Sequence, residues 1–408
     1  MTVPELGTRV LDAGCIPAFP PLTGLDAQRL FSQFAAVPAI VDTAHLIALE
    51  QLARQLNTAL RAIIEHYFED SRIRAIYRLP EALDRILRCT RGRPYRVGYY
   101  RPDFIYDIYG QPRICELGCR YPLNGWIVSL LASETFAPAA ERLGLRTQTE
   151  QDRFLQELLT LHSPGSTVAI VHEREDGTEI FHFCEALRRQ GTDVVQVAPE
   201  RLGAVRGRLT VEGRAIDRAI LELDRSELVT MPDDALGALL DSEAYFNDVR
   251  TLILVHDKRV LAVLGDETIM GDYLPPTDLA ALRPFLIPSW APASVEGAEI
   301  LLTRPENLIA KHNSGGRGLG TVMRDGSNRA QWRELVRGHW ADYMFQAYLP
   351  QRSFHSPDHD SGEAWIHLVG MQLCHDATSF GLGVFRGSDQ AVINLHQGRG
   401  RLYPALVR

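Results

Sequence analysis

The chain has 408 residues, with 43 Lys and Arg against 51 Asp and Glu for a formal charge of −8, 45% hydrophobic residues, 32 Gly and 23 Pro. This globular composition excludes collagen-like and broadly disordered chains and is long enough for two or three domains with a cleft between them. The acidic balance argues against a protein that coats nucleic acid. Six irregularly spaced cysteines (Cys15, Cys89, Cys115, Cys119, Cys184, Cys374) suit a reducing compartment rather than a disulfide framework. There is no run of 18 apolar residues and no basic-then-apolar start, so the expected protein is cytoplasmic, without a membrane or nucleic-acid partner.

Residues 1–40, with Pro17, Pro20, Pro21 and Gly24, read as an irregular lead-in. From Asp42, a helix N-cap, the series Leu46, Leu49, Leu52, Leu56, Leu60, Ile63, Ile64, Tyr67 and Phe68 follows helical spacing. A second helical pattern covers Pro80 to Leu87, so 1–95 reads as a helical N-terminal region. Tyr95 to Asp107 and Arg113 to Leu117 are strand-like around a Tyr109-Gly110-Gln111-Pro112 turn, which predicts an antiparallel hairpin. Pro102 lacks an amide hydrogen, so the first arm is expected at an edge or bulge. Helices from about Asn124 to Leu143 and from about Thr149 to Leu161 complete a segment 96–165.

At Ser166 the pattern changes. Val168–Val171, Asp193–Val197 and Ala219–Leu223 read as strands, and Ile180–Gln190 as a helix between the first two. Helices are also expected near Pro232–Tyr245 and Asp257–Leu264. This alternation over 166–265 predicts a small doubly wound parallel sheet. Its first strand is followed by His172-Glu173-Arg174-Glu175-Asp176-Gly177, not the Gly-x-Gly-x-x-Gly of a dinucleotide site. Residues 266–408 form a mixed α/β segment with the densest glycine cluster.

That cluster is the strongest local signal. Lys311 ends an apolar strand, and Gly315, Gly316, Gly318 and Gly320 surround Arg317 just beyond it. Glycines let a loop close its amide hydrogens over phosphate oxygens, and Lys311 and Arg317 add positive charge. A P-loop would place its Lys after the glycines. A flexible hairpin with a solvated Lys is the competing reading.

Asp103 and Glu116 lie on the two hairpin arms, where pairing can bring both carboxylates to one place. Two carboxylates plus nucleotide phosphates are what Mg²⁺ uses. Asp107, on the same strand parity, competes with Asp103. Arg101 shares Asp103's face and either grips a substrate carboxylate or phosphate, or pairs with Asp103. Lys258 opens an apolar helix against the dipole, which calls for a nearby anion. Tyr343 to Pro350 reads as a buried strand entering a loop, from which Gln346 and backbone groups can meet an adenine edge. One Cys115-x-x-x-Cys119 spacing is poor evidence for zinc. There is no His-Glu-x-x-His helix and no Gly-x-Ser-x-Gly elbow.

Taken in order, these segments resemble the circularly permuted ATP-grasp ligases, the group typified by glutathionylspermidine synthase, over about residues 96–408. The matching residues are Arg101 and Asp103, Glu116, Lys258, Lys311, the loop Gly315 to Gly320, and Gln346. Where that family has Asn two residues after the Glu, this chain has Gly118, and Asn124 or water is the substitute third metal ligand. The resemblance implies a mixed α/β fold, ATP-grasp-like and circularly permuted, with a helical N-terminal layer and a small doubly wound α/β domain. It also implies ATP and Mg²⁺, with Asp103 and Glu116 as metal ligands. Lys258, Lys311, Gly315, Gly316, Arg317, Gly318, Gly320 and Gln346 would hold the nucleotide. Arg101 and Arg386 would orient the acid or stabilise the oxyanion, and Asn394 is a weaker candidate. The implied activity joins a small-molecule carboxylate to an amine through an acyl phosphate, releasing ADP and phosphate, on an amino acid or small peptide such as a γ-glutamyl or dipeptide product. A small-molecule phosphotransferase and a catalytically inactive nucleotide-binding regulator are the alternatives.

Overall fold

The computed structural model describes residues 4–7, 32–148, 150–173, 178–243, 245–315, 320–324, 328–359, 362–390, 392–393 and 400–408. Helix α1 (Thr43–Glu65) begins where expected, with the Asp42 side chain accepting the His45 N–H at 2.8 Å. Its stripe Leu49, Leu52, Leu56, Leu60 and Ile63 is buried, and each such side chain contributes about 2 kcal/mol on leaving water. Two short helices follow, Ser71–Tyr77 and Glu81–Cys89. The first was not anticipated, because only Ile73 and Tyr77 are buried along it and two positions do not make a legible stripe.

Three sheets carry the rest of the architecture that positions the site. Strands β1 (Tyr99–Tyr106) and β2 (Pro112–Gly118) make the expected antiparallel hairpin. Beyond helix α2 (Trp126–Arg142) come β3 (Thr167–Val171), helix α3 (Thr178–Arg189), β4 (Asp193–Val197) and β5 (Arg218–Leu221). They form a parallel sheet in the order β5-β3-β4, with every residue of β3 buried. Only the first crossover is helical. The second carries an antiparallel meander, Leu202–Val205, Arg208–Val211 and Arg214–Ala215, where a doubly wound unit would place a helix.

Strands β6 (Leu308–His312), β7 (Thr321–Met323) and β8 (Tyr343–Ala347), with Ser289–Trp290, form a four-stranded antiparallel sheet. Its own apolar cluster, including Ala298, Leu301, Trp332, Val336 and Phe345, packs it against helices Val295–Thr303 and Arg329–Gly338. Finally β9 (Gly362–His375), β10 (Phe385–Ser388) and β11 (Arg401–Tyr403) return to the hairpin and complete a sheet in the order β11-β10-β9-β1-β2. Thus β1 is interior and β2 is the edge; of the two expectations raised by Pro102, the edge is not met and the bulge is. The ladder with β9 runs from Val369 opposite Ile105 to His375 opposite Tyr99 and skips Arg101 and Pro102, between Met371 and Cys374. The missing proline N–H falls in that gap, and the register with β2 shifts next to it, between Asp103 and Phe104. One large core joins α1 and the short helices to β1 and β2.

Among the described residues no helix is long and apolar enough to cross a membrane. The five described cysteines are free thiols.

Candidate functional site

The hairpin turn sets the site's register. Asp107 accepts the Tyr109 and Gln111 N–H groups on Oδ1, at 3.0 and 2.9 Å, and Arg113 Nε on Oδ2 at 2.8 Å. Gly110 takes a positive φ of 81° that favours glycine. Asp107 is therefore a turn-fixing group. With this turn, Asp103 stands opposite Glu116 and Arg101 opposite Gly118.

Asp103, 3% exposed, is held by two guanidinium groups. Arg101 donates through Nε to Oδ1 at 2.8 Å and through Nη2 to Oδ2 at 3.0 Å. Arg386 Nη2 donates to Oδ2 at 2.6 Å. Arg386 reaches it because β9 separates β10 from β1, with Val369 opposite both Arg386 and Ile105. Arg101 Nη1 continues to the Asn124 carbonyl at 3.2 Å and Oδ1 at 3.0 Å. Arg386 Nε is buried without a hydrogen-bond partner among the described residues.

Glu116 faces Lys258, with Oε1 and Nζ 3.3 Å apart, which supplies the anion expected near that lysine. Lys258 Nζ also donates to the Gly315 carbonyl. Lys311 Nζ donates to the Cys115 carbonyl at 2.9 Å and to Gln346 Oε1 at 2.8 Å, and Gln346 Nε2 donates to Ser289 Oγ at 3.0 Å. The Gln346 side chain is 1% exposed and committed to Lys311, so a base edge at this strand would meet backbone groups.

Burial opposes ionisation of Glu116, but Lys258 foremost, with Lys311 and Arg101, outweighs it and holds the pKa at about 2. Burial lowers the pKa of Lys311 from the usual lysine range. Burial also pushes the Cys115 thiol up to about 11, and its Sγ–H donates to the Asp103 carbonyl at 3.3 Å. Four cations thus surround two carboxylates, a surplus that suits a phosphate chain or a second carboxylate.

Gly315 and Gly320 flank the glycine loop; Gly316, Arg317, Gly318 and Asn394 lie outside the described residues. Gly320 has φ of 68°, and a Cβ there would come 3.0 Å from His312 Cβ.

Four groups were not anticipated. Glu179 accepts the Gly125 and Ile127 N–H groups at 2.9 and 2.8 Å, capping the start of α2. Gly125 (φ 98°) lies so close to Arg101 that a Cβ would sit 3.3 Å from Nη1. His256 accepts the Cys119 N–H on Nδ1 at 3.3 Å, and Arg120 pairs with Asp224 at 3.4 Å. Glu222 directly follows the apolar strand β5 and is buried. The only sequence signals were a carboxylate closing that strand and a histidine two residues before Lys258. Among the described residues no group of three His, Cys, Asp or Glu side chains is placed to hold a metal ion.

A family profile for the AnkG N-terminal domain matches residues 52–254, just under half of the chain. No curated protein matches the sequence. Among solved structures, the apo form of a glutathione synthetase-like effector (GSS30) from Globodera pallida superposes with a TM-score of 0.59 at 11% identity, covering 92% of this chain and 90% of that one. The likeness establishes a shared mixed α/β fold.

Proposed function

We propose that this protein is an ATP-dependent carboxylate–amine ligase of the circularly permuted ATP-grasp type. The observation that carries the reading is the convergence of Arg101, Asp103, Glu116, Lys258, Lys311, Gln346 and Arg386 from the central sheet, the four-stranded sheet and the segment between them. The fold shared with a glutathione synthetase-like effector supports it, since the first part of that protein's name denotes an enzyme of the same reaction class.

Lys258 and Lys311 would receive the phosphate chain, Gln346 holding Lys311 in place. Arg386, whose Nε has no partner among the described residues, and Arg101 would hold the acid. An oxygen of that acid attacks the γ-phosphorus, the bond to the bridging oxygen of ADP breaks, and an acyl phosphate forms. The amine nitrogen then attacks the acyl carbon and loses a proton, and phosphate leaves. Positioning the carboxylate between two guanidinium groups lowers the barrier by orientation and by stabilising the developing oxyanion.

Asp103 and Glu116 would hold magnesium. Guanidinium N–H groups take three of the four acceptor positions on Asp103, leaving one on Oδ1. Glu116 is ionised, and this cation needs only one or two carboxylates beside phosphate and water oxygens. When bound, it supplies positive charge to the transferring phosphates.

Incubation with ATP, Mg²⁺ and pooled amino acids, followed by mass spectrometry, tests the reading: an amide product with ADP is expected, and intact protein that consumes no ATP overturns it. A silent nucleotide-binding regulator is the second reading, favoured by Gly118 and by the two arginines on Asp103. Thermal stabilisation by Mg·ATP without turnover would select it.

A further inference from the structure

Glu222 and His256 each carry a buried polar atom without a hydrogen-bond partner among the described residues. Glu222 is 3% exposed, and its Oε2 is one of the two. His256 is 7% exposed; because Nδ1 accepts the Cys119 N–H, the proton of the neutral ring sits on Nε2, which is the other. Arg120 links the two. It follows Cys119, whose N–H bonds His256, and it pairs at 3.4 Å with Asp224, two residues beyond Glu222.

Their position has a topological reason. The chain leaves the central strand β3 for β4 on one side and comes back to β5 on the other, so the connections part at the carboxyl ends of β3 and β5. Ligands of open parallel sheets bind in that crevice. Glu222 stands there, its N–H bonded at 2.9 Å to the carbonyl of Val171, the last residue of β3.

A buried carboxylate without a counter-charge is costly, and burial pushes the Glu222 carboxyl well above its usual range, with Glu179 adding like charge. An ammonium group would supply both the charge and the donor that Oε2 lacks. Arg120 and the His256 Nε2–H are donors of the kind that receive a carboxylate.

We propose that Glu222, Arg120 and His256 form a head-group subsite for an α-amino acid, Glu222 taking the ammonium and the other two the carboxylate. Its place in catalysis rests on the ligase reading. Arg120 lies two residues beyond Gly118, which stands opposite Arg101, and His256 two residues before Lys258, so a substrate anchored here extends toward the phosphate-binding groups.

The test is isothermal titration of the full chain, without nucleotide, against each of the twenty common amino acids. The best binder is then compared with its α-hydroxy acid and its decarboxylated amine. At least one amino acid should bind, both analogues should bind at least tenfold more weakly, and Glu222→Gln should weaken the amino acid at least tenfold. No amino-acid binding, equal affinity for the analogues, or a folded Glu222→Gln protein with unchanged affinity overturns the subsite. If that variant does not fold, the analogue comparison on the unaltered protein decides. ADP release is measured in parallel. Binding as described without ADP leaves the subsite standing and removes the ligase reading, whereas ADP release with unchanged affinity in the variant does the opposite.

Discussion

Arg386 donates to Asp103 at 2.6 Å across 283 residues of sequence, and Arg101 grips the same carboxylate from two positions upstream. Asp103 is therefore the buried carboxylate that joins two partly exposed guanidinium groups. Asp103→Asn leaves both facing a neutral amide and should cost about 3 kcal/mol of folding stability, the size expected when one partner of a buried pair is removed. Arg386→Met should cost clearly less, because Arg101 still holds the carboxylate. Urea denaturation of the two variants measures the difference, and equal losses would contradict this arrangement.

Lys311 should govern nucleotide affinity. Lys311→Met removes a charged donor worth roughly 1.5–3 kcal/mol, so Mg·ATP affinity should fall at least tenfold by titration calorimetry. Because burial depresses the Lys311 pKa below its usual 10.5, the affinity of the unaltered protein should decline with rising pH before that value is reached. The Met variant should lack this Lys311-dependent decline.

Glu179 gives stability a pH slope of known sign. Burial raises its pKa from 4.5 to about 7, against the bonds from the α2 amides. A raised acid holds its proton longer folded than unfolded, so its favourable contribution is full below about pH 4.5 and is lost as pH rises through about 7. The shift corresponds to roughly 3 kcal/mol. Glu179→Gln should flatten the stability profile over that window in urea melts at successive pH values, and an unchanged slope would refute the assignment.

Much of this architecture was legible because it is local. Asp42 before a helical stripe, the hairpin around Gly110, and a lysine before clustered glycines are short patterns with direct physical causes. The interior place of β1 was not, since Pro102 allowed an edge as well as a bulge, and only the folded chain shows the register shift beside it and the gap in the β9 ladder. The meander between β4 and β5 was likewise hidden, its strands being two to four residues long. Within the site, the charged residues could be named singly, but the sequence does not reveal that Gln346 holds Lys311. Glu222 and His256 gave only faint signals for a different reason: their interest lies in the hydrogen-bond partner that Oε2 and Nε2 lack among the described residues, which shows only once the chain is folded.

Cys115 should be a poor nucleophile despite its place beside Lys311. Burial holds its thiol at about 11, and the thiolate is the reactive form. Iodoacetamide at pH 8 should label exposed Cys89 well before Cys115, as followed by peptide mass spectrometry. Labelling of Cys115 first would mean that the thiol is activated.

The most direct test of the ligase reading is phosphorus NMR of the full chain with ATP, Mg²⁺ and an amino-acid mixture. Equal amounts of ADP and inorganic phosphate should appear, dependent on the amino acids and accompanied by an amide of matching mass. AMP with pyrophosphate, or ATP that binds and is never consumed, would contradict it.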